Sequence, residues 1–172
     1  MNKLLCWALL ALVSGCTGEV WRADSRFTTE ERAAIDQAAE AWEAVGHPIL
    51  VAHGHHVTGL ESTRRYIVKT TRRAVGGIHQ PLQDSGAAGK HVVEPGREMI
   101  LLVMDQMKGG TPLWQIIAHE MGHSLDMNHV DDERAIMYHS GSRNSLRCIT
   151  SVDIQEMCRA QGCESVPKGC DE

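Results

Sequence analysis

The clearest periodic pattern of apolar residues lies between Thr28 and Val45. Its sequence is TTEERAAIDQAAEAWEAV, and apolar residues recur in it at the three- and four-residue spacing of a helix with one buried face. Thr28 and Glu31 form a capping box at its start, and Gly46 follows its end, where glycine commonly stops a helix. The pattern therefore predicts an amphipathic helix whose Trp42 stripe packs into the core.

Between residues 48 and 107 the apolar pattern changes and favours strands. Three apolar or β-branched runs are separated by glycine-rich and polar stretches. They span residues 48–53, 65–71 and 99–105. The centre of the third run, ILLVM, is continuously apolar, as in a strand that is covered on both faces. Residues 76–96 are interpreted as a loop, with a short edge strand near residues 90–93.

Two further helices are predicted in the last third of the chain. In the sequence GGTP, Thr111 is expected to cap a helix and Pro112 to occupy its first position, and this helix runs to about Leu125. The other helix begins at Thr150, where Asp153 completes a second capping box. This order of elements predicts an α/β (α+β) domain with one sheet and three helices.

The first residues of the chain have the character of an export signal. Lys3 is followed by an apolar run of about ten residues, which is too short to cross a bilayer but has the length of a signal-peptide core. The sequence VSGC, which ends at Cys16, resembles a bacterial lipobox. We therefore expect residues 1–15 to be a lipoprotein signal peptide and Cys16 to carry a lipid anchor. The alternative is an ordinary secretory signal and a secreted protein.

These expectations set the organisation and location of the mature chain. Residues 16–26 are expected to form a lipid-anchored linker and residues 27–172 one domain, because roughly 155 residues can bury a single core. Thr17 rather than aspartate follows the cysteine, which favours the outer membrane of a bacterial cell envelope.

The charge of the chain argues against nucleic acid as a partner. The formal net charge is −5, whereas nucleic-acid-binding domains carry a basic excess. One basic cluster lies in a strand-like segment, where we expect a solvated sheet face rather than a docking patch. Its members are Arg64, Arg65, Lys69, Arg72 and Arg73.

Four cysteines near the C-terminus remain once the signal-peptide and lipobox cysteines are set aside. An even set in an exported chain predicts two disulfides, and the alternative, a thiolate zinc site, is disfavoured in an oxidising compartment. A helix between Cys148 and Cys158 would hold their Cα atoms more than ~10 Å apart, beyond the ~7 Å limit of a disulfide. This geometry favours the pairs Cys148–Cys170 and Cys158–Cys163.

The sequence HEMGH carries the candidate chemistry. His119 and His123 are four residues apart, so a helix places both on one face, where two imidazoles can bind one Zn²⁺. Glu120 lies beside the first histidine and is not itself a ligand; it can hold the zinc-bound water and take its proton. The motif alone also occurs by chance on surface helices, and a catalytic zinc usually has a third protein ligand.

The residues that follow strengthen the zinc hypothesis. His129 comes six residues after His123, and Met137 comes eight residues later in the sequence AIMYHS. This arrangement resembles the metzincin metalloproteases, HExxHxxGxxH followed by a Met-turn. AIMY and the later sequence ITSVDIQEM most resemble the matrixin branch, which is the group similar to matrix metalloproteases.

The resemblance implies a zincin fold with one twisted mixed sheet, and a monomeric endopeptidase that hydrolyses protein or peptide substrates. The implied ligands of its single catalytic zinc ion are His119, His123 and His129. Glu120 would be the general base, Met137 would form an apolar floor beneath the zinc, and Tyr138 would line the substrate cleft.

The chain departs from the matrixin pattern after the Met-turn. No proline follows Tyr138, so the wall of the specificity pocket is expected to differ, and His139 is interpreted as a surface residue. Upstream, His53, His55 and His56 are interpreted as a solvated strand end, with a structural metal site as the alternative.

Asp126 stands where the metzincin motif has glycine. In a continuing helix it would return to the face of His119, but about 7 Å too far along the axis to bind the same metal. We therefore expect Asp126 to occupy a left-handed turn that lets His129 reach the zinc.

Two alternatives stay open. In the first, a downstream glutamate, Glu133 or Glu156, replaces His129 as the third ligand. In the second, the chain is a non-catalytic zinc-binding envelope lipoprotein with a metzincin-like fold, although such a binder has no need for the base Glu120.

Overall fold

A five-stranded mixed sheet is the frame of the described part of the molecule. The computed structural model of the chain describes residues 19–54, 64–77, 79–85, 87–107, 110–140, 148–163 and 166–170. The predicted signal peptide and the predicted lipid site at Cys16 lie outside these ranges. Within them, no helix has the length and apolar character that crossing a bilayer requires.

The strands are β1 (Glu19–Ala23), β2 (Ile49–His53), β3 (Arg65–Thr70), β4 (Gly89–Glu94) and β5 (Arg97–Val103). The helices are α1 (Thr29–Ala44), α2 (Arg72–Val75), α3 (Gln80–Ser85), α4 (Leu113–Ser124) and α5 (Ser151–Gln161). The elements follow one another along the chain in the order β1-α1-β2-β3-α2-α3-β4-β5-α4-α5. The sheet order is β2-β1-β3-β5-β4, in which β4 at the edge is antiparallel and the other pairs are parallel.

Different helices cover the two faces of the sheet. Ile100 and Leu102 of β5 belong to the larger core, to which α1, α4 and α5 contribute. Leu101 between them faces the opposite way, into a smaller core with Val75 of α2 and Leu82 of α3. The prediction that the ILLVM run is covered on both faces is therefore confirmed.

The prediction of a linker over residues 16–26 is wrong, because these residues contain β1. This strand lies between β2 and β3, and its Trp21 side chain is fully buried. Only alternate residues of the strand face the core, so Glu19 and Arg22 give the segment a polar appearance. Trp21 was the available signal, since a linker seldom holds so large an apolar side chain.

The number of helices and one helix start also differ from the prediction. The expected loop over residues 76–96 includes α3, and α2 precedes it, so the described residues hold five α-helices rather than three. A short 3-10 helix, Met104–Gln106, follows β5. α4 begins at Leu113, and its N-cap is Pro112 in an extended conformation, without a side-chain cap bond. Thr111 lies one residue too early to cap this helix.

The other helix starts agree with the sequence. Thr28 and Glu31 form a capping box at α1, and Thr150 and Asp153 form another at α5. In both boxes the threonine side chain accepts from the third helical N–H, and the acidic side chain accepts from the threonine N–H. These short-range bonds satisfy donors that a helix start otherwise leaves free.

The cysteines form the pairs that the sequence favours. Cys148 is bonded to Cys170, and Cys158 is bonded to Cys163. The first disulfide joins the segment before α5 to the C-terminal segment, and the second closes across the end of α5. Both ends of α5 are therefore covalently restrained.

Two members of the basic cluster form local ion pairs. Arg65 contacts Glu98 at 2.6 Å, and Lys69 contacts Glu31 at 2.6 Å. Both cations lie on strand β3 and are less than half exposed. This arrangement supports the interpretation of a sheet face over that of a docking patch.

Candidate metal centre

The helix α4 brings the first two candidate ligands together. One face of the helix packs into the larger core, and the indole N–H of Trp42 in α1 donates to the Ala118 carbonyl at 3.0 Å. His119 and His123 are each partly buried, and their ring centroids are 4.8 Å apart. The position of both rings is thus set by a helix that the core holds in place.

The chain reverses direction after α4 in a turn centred on Asp126. The Met127 N–H donates to the Gly122 carbonyl at 3.2 Å, and the Asp126 N–H donates to the His123 carbonyl at 3.1 Å. These two bonds define a Schellman motif, whose left-handed position is usually glycine. Asp126 occupies this position, with a φ angle of 58°. Among the described residues, it is the one non-glycine residue with a positive φ angle. Its backbone therefore fills the turn expected from the sequence.

The turn returns the chain to the helix and brings the three histidines to one point. His129 Nε2 lies 3.2 Å from His119 Nε2 and 3.2 Å from His123 Nε2. A tetrahedral zinc with nitrogens at 2.0–2.1 Å separates its ligands by about 3.3–3.4 Å. The three side chains are the one group of potential metal ligands found among the described residues, with ligand atoms within 4.8 Å of one another. They fit a single zinc ion.

Hydrogen bonds to carbonyls orient two of the rings. His119 Nδ1 donates to the Ile136 carbonyl at 2.7 Å, and His123 Nδ1 donates to the Met127 carbonyl at 2.9 Å. A carbonyl oxygen only accepts, so each Nδ1 carries the proton and each Nε2 lone pair faces the other histidines. This is the tautomer that a metal requires from an imidazole whose second nitrogen is hydrogen-bonded.

The surroundings of the three histidines lower their pKa values. Burial lowers the pKa of His119 to about 4, against the bond to Ile136, which raises it. Desolvation also lowers the pKa of the partly buried His123 and, although its side chain is exposed, the pKa of His129. Because metal binding requires the neutral imidazole, these environments favour the binding form at neutral pH.

Glu120 is buried beside the histidines, with 6% of its surface exposed. Its Oε2 accepts from the His91 N–H of β4 at 2.6 Å. Gly89 of the same strand leaves the space for this carboxylate, since an added Cβ would lie 2.9 Å from Glu120 Oε1. Burial raises the pKa of Glu120 to about 7, while the His91 bond opposes the shift. A carboxyl group of this kind can exchange a proton near neutral pH.

Met137 lies beneath the helix, fully buried against Gly122. A Cβ at position 122 would collide with the Met137 sulfur and lie 3.2 Å from the Trp42 ring. The glycine is therefore required for the close approach of the methionine to the helix. The resemblance to the metzincins implies an apolar floor under the zinc for Met137, and this role stays a prediction.

Asp153 anchors the turn that contains Met137. This fully buried carboxylate accepts from the N–H groups of Ile136 and Met137, each at 2.9 Å. It also accepts from the N–H and the hydroxyl of Thr150, at 3.0 and 2.8 Å. Burial raises the pKa of Asp153, and these four bonds oppose the shift. The sequence identifies Asp153 only as a helix cap, because a capping signal carries no information about a second set of partners.

Tyr138 and His139 follow the Met-turn at the edge of the site. Tyr138 is half-buried and joins Val130 in a β-bridge, and its ring centroid is 4.5 Å from that of His139. The His139 ring is exposed, and its centroid lies 6.5 Å from the centroid of the His129 ring. His139 is thus a surface residue, as interpreted, but its surface borders the metal centre.

Glu156 bonds to the backbone of the loop and does not join the three histidines as a potential ligand. It accepts from the Asn128 N–H at 2.7 Å and pairs with Arg159 at 2.6 Å. The hydrogen bonds from Arg159 lower the pKa of Glu156 to about 2. Neither it nor Glu133 joins the group of potential ligands found in the described ranges, which favours His129 as the third ligand.

The upstream histidines have separate surroundings. His53 Nε2 lies 2.7 Å from Asp36 Oδ1 at the end of β2. His55 and His56 lie outside the described residues. A solvated strand end stays the prediction for these histidines, with a structural metal site as the alternative.

Three comparisons with known proteins bear on the family of the chain. The chain matches the family model of the matrixins over residues 16–159. A comparison with curated proteins found no match. Among solved structures, the chain is similar to the archaemetzincin of Methanopyrus kandleri, with 12% sequence identity, coverage of 87% of this chain and 98% of that chain, and a TM-score of 0.49.

Replacement of Asp126 by glycine should keep the metal centre and stabilise the fold. A non-glycine residue in the left-handed region costs ~1–2 kcal/mol, and the extra freedom of glycine in the unfolded chain offsets ~0.5–1 kcal/mol of that. We expect Asp126→Gly to raise the free energy of unfolding by about 0.5–1 kcal/mol. Urea denaturation and the zinc content of the purified protein measure both effects.

The matched variant is His129→Ala, which should bind zinc far more weakly while the Asp126→Gly protein retains it. Loss of zinc from Asp126→Gly with retention in His129→Ala would identify Asp126 as the ligand.

Proposed function

Since the chain belongs to the matrixin family and is a zinc metalloendopeptidase of the metzincin type, we propose that His119, His123 and His129 hold its zinc and that Glu120 is its general base. The observation that carries this assignment is the convergence of three Nε2 atoms beside a buried carboxylate that is not among them. Metal binding and proton transfer thus fall to different side chains.

The bound zinc would polarise the scissile carbonyl. It would also lower the pKa of a water molecule, so that this water can attack the carbonyl as hydroxide at neutral pH. Glu120 takes the proton of the attacking water and then delivers it to the amine that leaves. The His91 N–H holds this carboxylate in place, so little reorganisation is needed before the proton moves. Met137, beneath the helix, keeps the floor of the site apolar.

The edge strand β4 supports a peptide as substrate. β4 is the last strand of the described sheet, and it supplies both Gly89 and the His91 N–H next to Glu120. An extended peptide can add to such an edge through main-chain hydrogen bonds, which suit many sequences. A substrate bound in this way would run past Glu120 with its backbone exposed to attack. Tyr138 lines the cleft on the side of the Met-turn.

We further propose that the protein acts at a bacterial cell envelope, as a monomer anchored through lipid on Cys16. Cys16 precedes the first residue of β1 by three residues, a span of at most ~11 Å. Glu19 is the first residue of β1, and its carboxylate accepts a hydrogen bond of 3.1 Å from the hydroxyl of Ser124, the last residue of α4. A lipid on Cys16 would therefore hold the active site close to the membrane, within reach of proteins at its surface. Without the lipid, the same chain would be secreted.

Replacement of Glu120 by glutamine should strongly reduce proteolysis and keep zinc. Glutamine has nearly the same shape but cannot accept the proton of the attacking water. General-base catalysis contributes roughly 10²–10⁴-fold, so we expect cleavage of casein or a peptide to fall by about that factor. The measurement pairs initial rates with zinc content.

Glu40→Gln is the matched control, because Glu40 is an exposed residue of α1. It should cleave like the wild type. Equal cleavage by the Glu120→Gln and wild-type proteins, both with stoichiometric zinc, would contradict the assignment. A zinc-loaded wild type that cleaves no protein or peptide would instead support the non-catalytic lipoprotein.

Metabolic labelling with a palmitate analogue should mark the wild type and spare Cys16→Ser. The labelled protein should also sediment with membranes, and the Cys16→Ser protein should be released in soluble form. An unlabelled, water-soluble wild type whose N-terminus lies elsewhere would rule out the anchor.

A further inference from the structure

The loop that carries His129 is held by bonds from outside itself. The Gln161 side chain donates to the Leu125 carbonyl at 2.8 Å, at the start of the loop. The Val130 N–H, at its end, donates to the Met137 carbonyl at 3.1 Å. Between these points the Asn128 N–H, one residue before His129, donates to Glu156 Oε1 at 2.7 Å.

We propose that Glu156 is a positioning residue for the metal centre, which fixes the backbone next to His129 and so holds its imidazole in place for zinc. This inference rests on the proposed zinc ligands and assigns to Glu156 a role that neither the motif nor the family match specifies.

The third ligand needs such support more than the other two do. His119 and His123 lie on a helix that the core holds, whereas His129 lies in a loop and is exposed. The loop also begins at Asp126, in a conformation that is unfavourable for a side chain other than glycine. Ordering the loop before the metal arrives reduces the entropy that binding must remove.

Glu156 is itself fixed in place. Arg159 donates to both of its carboxylate oxygens at 2.6 Å, and hydrogen bonds that involve an ionised carboxylate are stronger than neutral ones. Glu156 is three residues after Asp153, so both point from one face of α5. That face thus holds the Met-turn through Asp153 and the ligand loop through Glu156.

The covalent restraint of α5 supports the same role. The Cys158–Cys163 disulfide closes a ring that contains Arg159 and Gln161. These residues orient Glu156 and hold the Leu125 carbonyl, respectively. The end of α5 is therefore a rigid base from which side chains reach the loop.

The experiment compares the Glu156→Ala, Glu156→Gln and Arg159→Ala variants of the full chain. Glu156→Ala removes the acceptor for the Asn128 N–H. Glu156→Gln keeps an oxygen that can accept it, and Arg159→Ala removes the ion pair but leaves the carboxylate. Each metal-free protein is titrated with zinc against a competing chelator. Thermal unfolding of the metal-free proteins and the visible spectrum after cobalt substitution are measured alongside.

We expect Glu156→Ala to raise the zinc dissociation constant about tenfold to a hundredfold, the range found when an outer partner of a metal ligand is lost. Its cobalt spectrum should also change, because the third ligand is less well held. Glu156→Gln should stay close to the wild type in both measurements. Arg159→Ala should lose less zinc affinity than Glu156→Ala does, because it removes the partner that orients Glu156 but keeps the acceptor for the Asn128 N–H.

Three results would overturn the role. Wild-type zinc affinity and an unchanged cobalt spectrum in Glu156→Ala, with only a lower unfolding temperature, would leave a purely structural residue. Equal losses of zinc affinity in Glu156→Ala and Arg159→Ala would show that the ion pair between these residues causes the effect. Equal losses in Glu156→Ala and Glu156→Gln would show that the charge, and not the bond to the Asn128 N–H, matters.

The His129→Ala protein separates this test from the proposed zinc site. If it binds zinc as tightly as the wild type does, the three-histidine assignment itself fails, whatever Glu156 does. If it loses zinc and Glu156→Ala does not, only the positioning role fails.

Discussion

In the proposed zinc site, three imidazole nitrogens have to meet about 2 Å from one ion, and the helix α4 supplies two of them. The third must come from residues that have already left the helix, so the chain has to reverse within a few residues of Ser124. The Schellman turn at Asp126 makes this reversal, and its two hydrogen bonds use carbonyls of the helix that carries the first two histidines. The geometry of the centre therefore depends on how that helix ends.

The rest of the fold holds the segments before and after this turn, which are α4 and the Met-turn. On one side, the sheet and α1 fix α4 through the larger core and through the bond from Trp42 to the Ala118 carbonyl. On the other side, α5 uses the buried carboxylate of Asp153 to hold the Met-turn, and Met137 in turn packs against Gly122. Removal of a buried carboxylate with four donors around it would leave those donors unsatisfied, at ~1–3 kcal/mol each. The metal centre and the C-terminal helix thus form one packed unit.

The features that the sequence predicts well are those set by local spacing. The capping boxes at Thr28 and Thr150 involve residues only three positions apart, and the histidine spacing around Asp126 limits the chain to a sharp turn. The features that it misses depend on distant partners. β1 is a strand because it lies between β2 and β3, and its own five residues alternate too briefly to stand out. Likewise, the second role of Asp153 and the bond of Glu156 to Asn128 involve residues that are distant in sequence.

X-ray absorption at the zinc edge of the purified, zinc-loaded protein tests the central claim most directly, because it reports the number and type of atoms bound to the metal. The account predicts three imidazole nitrogens and one further light atom at about 2.0–2.1 Å, with the multiple-scattering pattern of three rings. Two imidazoles with a protein carboxylate, or a sulfur ligand at about 2.3 Å, would contradict it.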